Sequence, residues 1–534
     1  MNAKLDYDAI IIGAGISGMY QLYRLRELGM RVRVLEAGTG VGGTWYWNRY
    51  PGARFDSESY SYQYSFSKEL LAEWNWSEHF AAQPETLRYL NYVADKFDLR
   101  RDIQFRTRVT TAHYQDANCS WTVTAEGGRH FTARFLITAI GPLSAPTMPR
   151  IEGVGDFKGE AYHTAQWPHH QVSFEAKHVA VIGTGATGVQ TIQEVAKTAG
   201  HLTVFQRTPN WCKPLNNGPI DPSAQAALKA RYPEIFKLCQ ESYACFLHST
   251  DPRGTFEVSA EAREAFLEQQ YASPGFGMWQ GNFRDVLTNR EANAIVSEFV
   301  ANKIRQRVKD QKVAEKLIPK DHGFGTRRVP METKYYEAYN QPNVQLVDIK
   351  ETPIERITAT GIKTTAGSYD FDIIIYATGF DAITGSFDRI DIRGEAGRNL
   401  KDKWRQRLET FLGIQVEGFP NMLMLVGPHT ALGNIPRSIE YNVDWVTRLI
   451  QHMHERKLTR ADATSDGVDA WTGFVHEKGK GLLSNEVDSW MTGINRNVEG
   501  KQTRIIARYS GSAPEFRARA DEVAANGYSE MALS

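Results

Sequence analysis

No stretch of this 534-residue chain comes near the roughly 20 consecutive apolar residues that a membrane-spanning helix needs. Cysteine is scarce: Cys119, Cys212, Cys239 and Cys245 are all there is. None forms a C-x-x-C pair, which argues against both a disulfide reductase and a zinc ribbon, and four reduced thiols suit the cytosol. Net charge is missing as well. Sixty-two basic residues balance 62 acidic ones, so nothing points to nucleic acid or an anionic membrane as partner. The chain reaches an apolar strand at Asp8–Ile12 without a basic-then-apolar leader, which again predicts a cytosolic protein. No metal-ligand pattern stands out. His452 and His454 are two apart on a helical pattern and face different ways, and Asp321-His322 has no serine or cysteine arrangement that would make a hydrolase. The basic run 303–309 reads as a solvated helix face.

What is present is a pair of dinucleotide-binding fingerprints. The length predicts two to four domains, and 42% apolar with 23% charged residues is ordinary globular composition. The first fingerprint is Gly13-Ala14-Gly15-Ile16-Ser17-Gly18. A strand at Asp8–Ile12 precedes it, a helix over Ser17–Leu28 follows, and the next strand, Val32–Leu35, ends on Glu36. The second is Gly183-Thr184-Gly185-Ala186-Thr187-Gly188, inside a βαβ unit over His178–Gln206. The position matching Glu36 is Gln206, followed by Arg207 and Thr208. An acidic side chain there accepts hydrogen bonds from ribose hydroxyls and repels a 2′-phosphate; an arginine welcomes it. In both units, glycines let backbone approach a pyrophosphate and the helix N-terminus offers it N–H groups. The chain therefore reads as the holder of two different dinucleotides, one FAD-like and one NADPH-like.

Further elements follow from pattern. Gln104–Tyr114 and Ser120–Ala125 read as antiparallel strands, and Phe135–Ile140 as a buried strand ending in Gly141-Pro142. Pro142, Pro146 and Pro149 mark a crossing between domains. Residues 221–320 are charged and carry helical apolar spacing, with Phe299, Ile304, Val308, Val313 and Leu317 as the example. Strands resume at Val344–Val347, Phe371–Tyr376 and Met422–Val426. This order predicts an α/β protein: two interleaved Rossmann-like dinucleotide-binding domains with a helical insertion, the first completed by C-terminal chain. The expected boundaries are 1–142 with 382–534 for FAD, 150–220 with 325–381 for NADP, and 221–324 for the insertion. The loop Gly42-Gly43-Thr44-Trp45 through Asp56 could carry the rest of an FAD. Asp56 has two readings, a helix N-cap for Ser57-Glu58-Ser59 or an orienter of an arginine or the flavin.

The segment Phe157-Lys158-Gly159-Glu160-Ala161-Tyr162-His163-Thr164-Ala165-Gln166-Trp167-Pro168 fits, between the two fingerprints, the F-x-G-x-x-x-H-x-x-x-W-P signature of the type I Baeyer–Villiger monooxygenases. The chain resembles that family over nearly its whole length, including Gly42–Asp56, Val204–Pro209, Gly325-Thr326-Arg327-Arg328, Ala377–Phe380, Gly418–Asn421 and Asp521–Tyr528. The resemblance implies one FAD, NADPH, O₂ and a ketone converted to an ester or lactone through a C4a-peroxyflavin. Such a peroxide anion must be kept dry and charged, and arginine suits the task because it does not give up its proton. By resemblance the catalytic arginine is Arg328, with Asp56 as its orienter. Gly13, Gly15, Gly18, Glu36, Gly43, Thr44, Trp45, Asp56, Tyr62 and Val109 would hold FAD. Arg54, Gly183, Thr184, Gly185, Thr187, Gly188, Arg207, Thr208, Arg327 and Trp490 would hold NADP. The family has Lys-Arg where this chain has Arg327-Arg328, so Arg327 takes the lysine's place near the 2′-phosphate. After Trp490, the residues Met491–Asn495 depart from the family pattern. His163 lies on the linker, where a structural role is expected. The substrate is expected to be a cyclic, terpenoid or aryl ketone. Rival readings are a flavin-dependent S- or N-oxygenase and a non-catalytic dinucleotide-binding redox sensor.

Overall fold

The computed structural model describes residues 4–534. Two sheets organise it. In the first, strands run in the order 391–393, 109–115, 120–125, 130–138, 7–12, 32–35 and 103–104, and strand 422–424 pairs with 130–138 as well. Strand Tyr7–Ile12 is parallel to both of its neighbours, with Ala9 opposite Val32 and Phe135. Its last four residues, Ala9 to Ile12, are buried, as a strand covered on both faces must be. The long strand His130–Thr138 serves two partners. Its first half pairs antiparallel with 121–124, and its last three residues pair parallel with Met422–Met424.

The second sheet is wholly parallel, in the order 344–348, 201–206, 178–182, 373–376 and 160–163. Ile373-Ile374-Ile375-Tyr376 is buried throughout. An antiparallel meander, 354–357, 361–364 and 367–370, shares apolar packing with it. The two sheets interleave along the chain. Residues 139–150 lead from the first to the second and 377–386 lead back. The crossings touch, with Pro146 bridged to Phe380 and the Thr147 N–H donating to the Gly379 carbonyl. C-terminal chain completes the first unit. Strands 391–393 and 422–424 join its sheet, and helix Ile435–Glu455 packs on helix Ile16–Glu27 through Gln21–Thr447 (3.0 Å) and Arg24–Asp444.

Between the halves of the second unit lie helices 222–230, 232–241, 260–272, 290–307 and 311–317. The apolar spacing from Phe299 to Leu317 spans two helices. The first ends at Arg307, and the Asp310 side chain accepts from Lys312 and Val313 N–H to start the next. Phe299, Ile304, Val308 and Leu317 all enter the core of the second unit. The expected strand Gln104–Tyr114 is split into 103–104 and 109–115. Arg106 takes a positive φ of 51°, and Arg106 and Thr107 donate to the Gly38 and Glu36 carbonyls, which pulls them out of line. Strand Met422–Met424 stops short because Val426 also has positive φ. All four cysteines are free. Among the described residues no helix is long and apolar enough to cross a membrane, and no cluster of metal-binding side chains occurs.

Candidate functional site

The two glycine turns are built alike. Gly13 has φ +102° and Gly183 +110°, and an added Cβ would meet the Ala139 carbonyl oxygen at 2.6 Å or that of Ala377 at 2.5 Å. Each turn is pressed against the strand-end of its own crossing segment, so only glycine fits. Helix Ile16–Glu27 and helix Ala186–Val195 both start on a glycine with no side-chain cap, which leaves first-turn N–H groups as donors. At the first turn, Gly43 closes against Gly15; a Cβ on Gly43 would lie 2.8 Å from the Gly15 Cα. This approach brings Thr44 and Trp45 to the turn. Thr44 is exposed and Trp45 buried, its indole N–H donating to the Tyr62 hydroxyl (3.2 Å). Tyr62 stacks on Phe55 at 4.3 Å, and burial pushes its phenol up to about 12. Val109 begins its strand, buried.

Glu36 is buried, and its two oxygens accept from the N–H groups of Ala14 (2.7 Å) and Gly38 (2.6 Å). Burial raises its pKa, and those backbone bonds oppose the rise. The carboxylate thus also pins the glycine turn to the end of its strand. A glycine turn, an uncapped helix start and an acidic residue at the strand end are the donor and acceptor set that a plain dinucleotide such as FAD needs.

The second turn differs in charge. Arg207 forms no ion pair among the described residues. Burial lowers its pKa, and the nearby guanidiniums of Arg496 and Arg327 lower it further. Arg327 is also depressed by burial, with Asp321 opposing at 3.4 Å, and its Nε has no partner. Three arginines crowded together repel one another unless an anion sits among them, so this corner fits a 2′-phosphate. Thr208 accepts from the Thr184 hydroxyl through its carbonyl (3.0 Å), and Thr187 meets Thr164 (3.1 Å). A groove of about 710 Å³ opens beside Arg207, lined also by Lys316, Asp348 and Lys350. Arg496 was not found by sequence reasoning, because it lies in the polar tail without a motif around it. Trp490 stands in a 3-10 turn closed by Ser489 and Thr492, on the segment that also carries Asp488 and Arg496 toward Arg327.

Arg328 and Asp56 come together between the two units. The guanidinium Nη2 lies 2.7 Å from Asp56 Oδ2, which also accepts from the Met331 N–H at 3.1 Å. The Asp56 side chain is fully buried; Arg328 is 26% exposed. Burial pushes the Asp56 carboxyl up and the Arg328 charge pulls it back. Asp56 Oδ1 has no hydrogen-bond partner. The N-cap reading of Asp56 is corrected: the following helix, Ser59–Tyr62, is preceded by Glu58, and no side chain caps it. The Arg328 guanidinium sits 5.6 Å over the Phe276 ring, which Phe246 meets edge-on at 4.9 Å. Phe276 is held there by Lys213, a fully buried lysine whose ammonium donates to the Ser273 and Gly275 carbonyls. Burial lowers it to about 8, with Glu332 and Glu58 opposing. Neither Lys213 nor Phe276 carried a sequence signal.

Arg54 lies near Asp56, whose carboxyl its charge pulls down. Its guanidinium pairs with Glu78 (3.2 Å) and the Phe80 carbonyl (3.1 Å), while its own carbonyl accepts from Gln190 on helix 186–195 (3.1 Å). Tyr50, also in that loop, donates to the other end of Gln190 (2.8 Å). His163 ties the crossings together. Its Nδ1 accepts from the Ala165 N–H (3.0 Å), which puts the proton on Nε2, 3.3 Å from both the Thr147 carbonyl and the Thr378 hydroxyl. Burial lowers its pKa, as fits a neutral structural imidazole.

Comparison with known proteins adds to this geometry. Residues 10–261 match the family model for pyridine nucleotide-disulphide oxidoreductases. The chain is 48% identical to 2-oxo-Δ(3)-4,5,5-trimethylcyclopentenylacetyl-CoA monooxygenase of Pseudomonas putida, over 99% of this chain and 98% of that protein. It is 40% identical to cyclohexanone 1,2-monooxygenase of Acinetobacter sp., over 99% and 97%. The crystal structure of OTEMO in complex with FAD and NADP superposes with a TM-score of 0.96 at 47% identity, covering all of both chains.

Proposed function

This chain belongs to the Baeyer–Villiger monooxygenases, FAD- and NADPH-dependent oxidoreductases acting on ketones, and we propose that it inserts an oxygen atom from O₂ beside the carbonyl of a cyclic ketone at the Arg328–Asp56 pair. When bound, FAD supplies the oxygen-activating redox centre and NADPH the hydride that reduces it. The chain's own residues do the rest. Arg328 presents a permanent cation to the reacting oxygens, and negative charge developing there is stabilised by a group that does not lose its proton. Asp56 fixes the guanidinium, and the Met331 N–H fixes Asp56. Phe276, backed by Phe246, gives the cation an apolar floor on one side.

The 2.7 Å contact between Asp56 and Arg328 carries this reading. Arg207, Arg327 and Thr208, with Arg496, are the proposed readers of the NADPH 2′-phosphate. The proposed division of labour gives FAD to 1–142 and 382–534, NADP to 150–220 and 325–381, and the walls above Arg328 to 221–324. Four free thiols support a cytosolic enzyme. The test is a panel of ketones and sulfides with NADPH consumption and product mass measured together. A ketone product heavier by one oxygen, formed in proportion to NADPH, supports the reading. Oxygen gain by sulfides alone would replace it with heteroatom oxygenation, and NADPH consumption without any oxygenated product would remove it.

A further inference from the structure

Arg508 is an arginine without a counter-ion. Among the described residues no carboxylate pairs with it. Its one side-chain hydrogen bond runs to the Ser484 hydroxyl at 3.3 Å, and its enclosed Nε has no partner. The residue is half-buried, and burial lowers its pKa to about 10 with only the Tyr243 phenol opposing. A half-buried guanidinium with a single hydroxyl partner keeps N–H donors free for an anion. Arg207 shows the same combination of burial and missing partner at the corner that fits a phosphate. Taking such a cation out of water is costly, and a bound carboxylate offsets that cost through a two-pronged, charge-assisted hydrogen bond.

The position of Arg508 ties it to the reaction centre by two routes. On one side, Ser484 follows Leu483, whose N–H donates to the Leu287 carbonyl (3.0 Å). Leu287 and Trp279 close on Gly325, three residues before Arg328, and the Trp279 indole N–H donates to the Gly325 carbonyl (3.1 Å). On the other side, the Tyr243 hydroxyl donates to the Ser510 carbonyl. The same loop carries Phe246 onto Phe276, under the Arg328 guanidinium. Tyr243 is 51% exposed despite its bonded hydroxyl. From these placements we propose that Arg508, beside Ser484, receives a carboxylate carried by the ketone substrate while the carbonyl lies at Arg328. The proposal rests on the ketone-oxygenating reading and narrows its substrate class to acidic ketones.

The experiment compares cyclic ketones bearing a side arm that ends in a carboxylate, an isosteric carboxamide or a phosphonate. Each is assayed for kcat/KM with wild type, Arg508→Gln and Arg508→Lys. The wild type is expected to favour carboxylate over carboxamide about tenfold or more, the size of one charge-assisted bond. Arg508→Gln is expected to bring the ratio to about one by raising KM for the acid, and Arg508→Lys to keep part of the preference. A wild-type ratio near one overturns the proposal without any variant being needed, as does an unchanged ratio in soluble Arg508→Gln. Preference for the phosphonate over the carboxylate overturns the carboxylate assignment. If none of the three ketones gains oxygen while NADPH is consumed, the failure lies with the ketone-oxygenating reading instead.

Discussion

The Asp56 carboxylate, fully buried, holds the Arg328 guanidinium at 2.7 Å, and its other oxygen has no partner among the described residues. Removing either member therefore has different consequences. Arg328→Ala is expected to leave hydride uptake from NADPH within about tenfold while ketone oxygenation falls by 10³-fold or more, the scale of losing one preorganised electrostatic stabiliser. Product formed per NADPH, measured by mass spectrometry, decides the point. Lactone at the wild-type rate would refute the role.

Asp56→Ala leaves a cation without its buried partner. A stability loss of about 3 kcal/mol is expected, at the low end for a buried pair because Arg328 is partly exposed. Asp56→Asn keeps an acceptor for the Met331 N–H and is expected to lose less stability but nearly as much oxygenation. Urea unfolding of the two variants, beside their ketone turnover, separates the two effects.

Arg207 lies near two other guanidiniums and has no carboxylate partner among the described residues. Arg207→Ala is expected to raise KM for NADPH by about 10- to 100-fold while KM for NADH hardly moves. Arg496→Ala is expected to act in the same direction more weakly, since Arg496 is 62% exposed and pairs with Asp488. Equal effects of Arg207→Ala on both coenzymes would remove it from the 2′-phosphate site.

His163 bonds both crossings as a neutral ring. His163→Gln is expected to slow turnover severalfold without displacing the pH optimum. A pH–rate profile that lost a limb in this variant would make the imidazole an acid–base group.

His429 is fully buried, with Nε2 2.9 Å from the Ile506 carbonyl and burial lowering its pKa to about 4. The unfolded chain binds this proton from about pH 6.5 downward and the folded chain only near pH 4. Stability is therefore complete above pH 6.5 and falls on acidification through that window, by about 1.4 kcal/mol per pH unit from this group. His429→Gln is expected to flatten the decline between pH 6.5 and 4 in denaturant titrations, and an unchanged slope would count against it.

Much of the architecture could be read from local pattern. The strands at 7–12, 32–35, 120–125 and 178–182 are short apolar or alternating runs, and the two glycine fingerprints mark where chain must approach an anion. Glu36 and Arg207 put unlike charges at the two strand ends, which is what reads as two different dinucleotides. The splitting of 104–114 was hidden, because the bonds that bend it come from Glu36 and Gly38, far away in sequence. Arg496, Lys213, Phe276 and Arg508 were hidden for the same reason. A lysine at 213 looks like a surface residue until Ser273 and Gly275 close over it, and Arg508 looks solvated until Ser484 and Tyr243 enclose it.

By itself, the order of residues determined the two βαβ units, their unlike charges and the family. Those depend on neighbours within about 30 positions, where backbone geometry and side-chain period act directly. Spacing left Asp56 open between capping a helix and meeting an arginine, and tertiary structure decided between the two, as it decided which arginines lack a carboxylate among the described residues. Both outcomes depend on burial and on partners brought from opposite ends of the chain, and a charge acquires its meaning only when its surroundings are known.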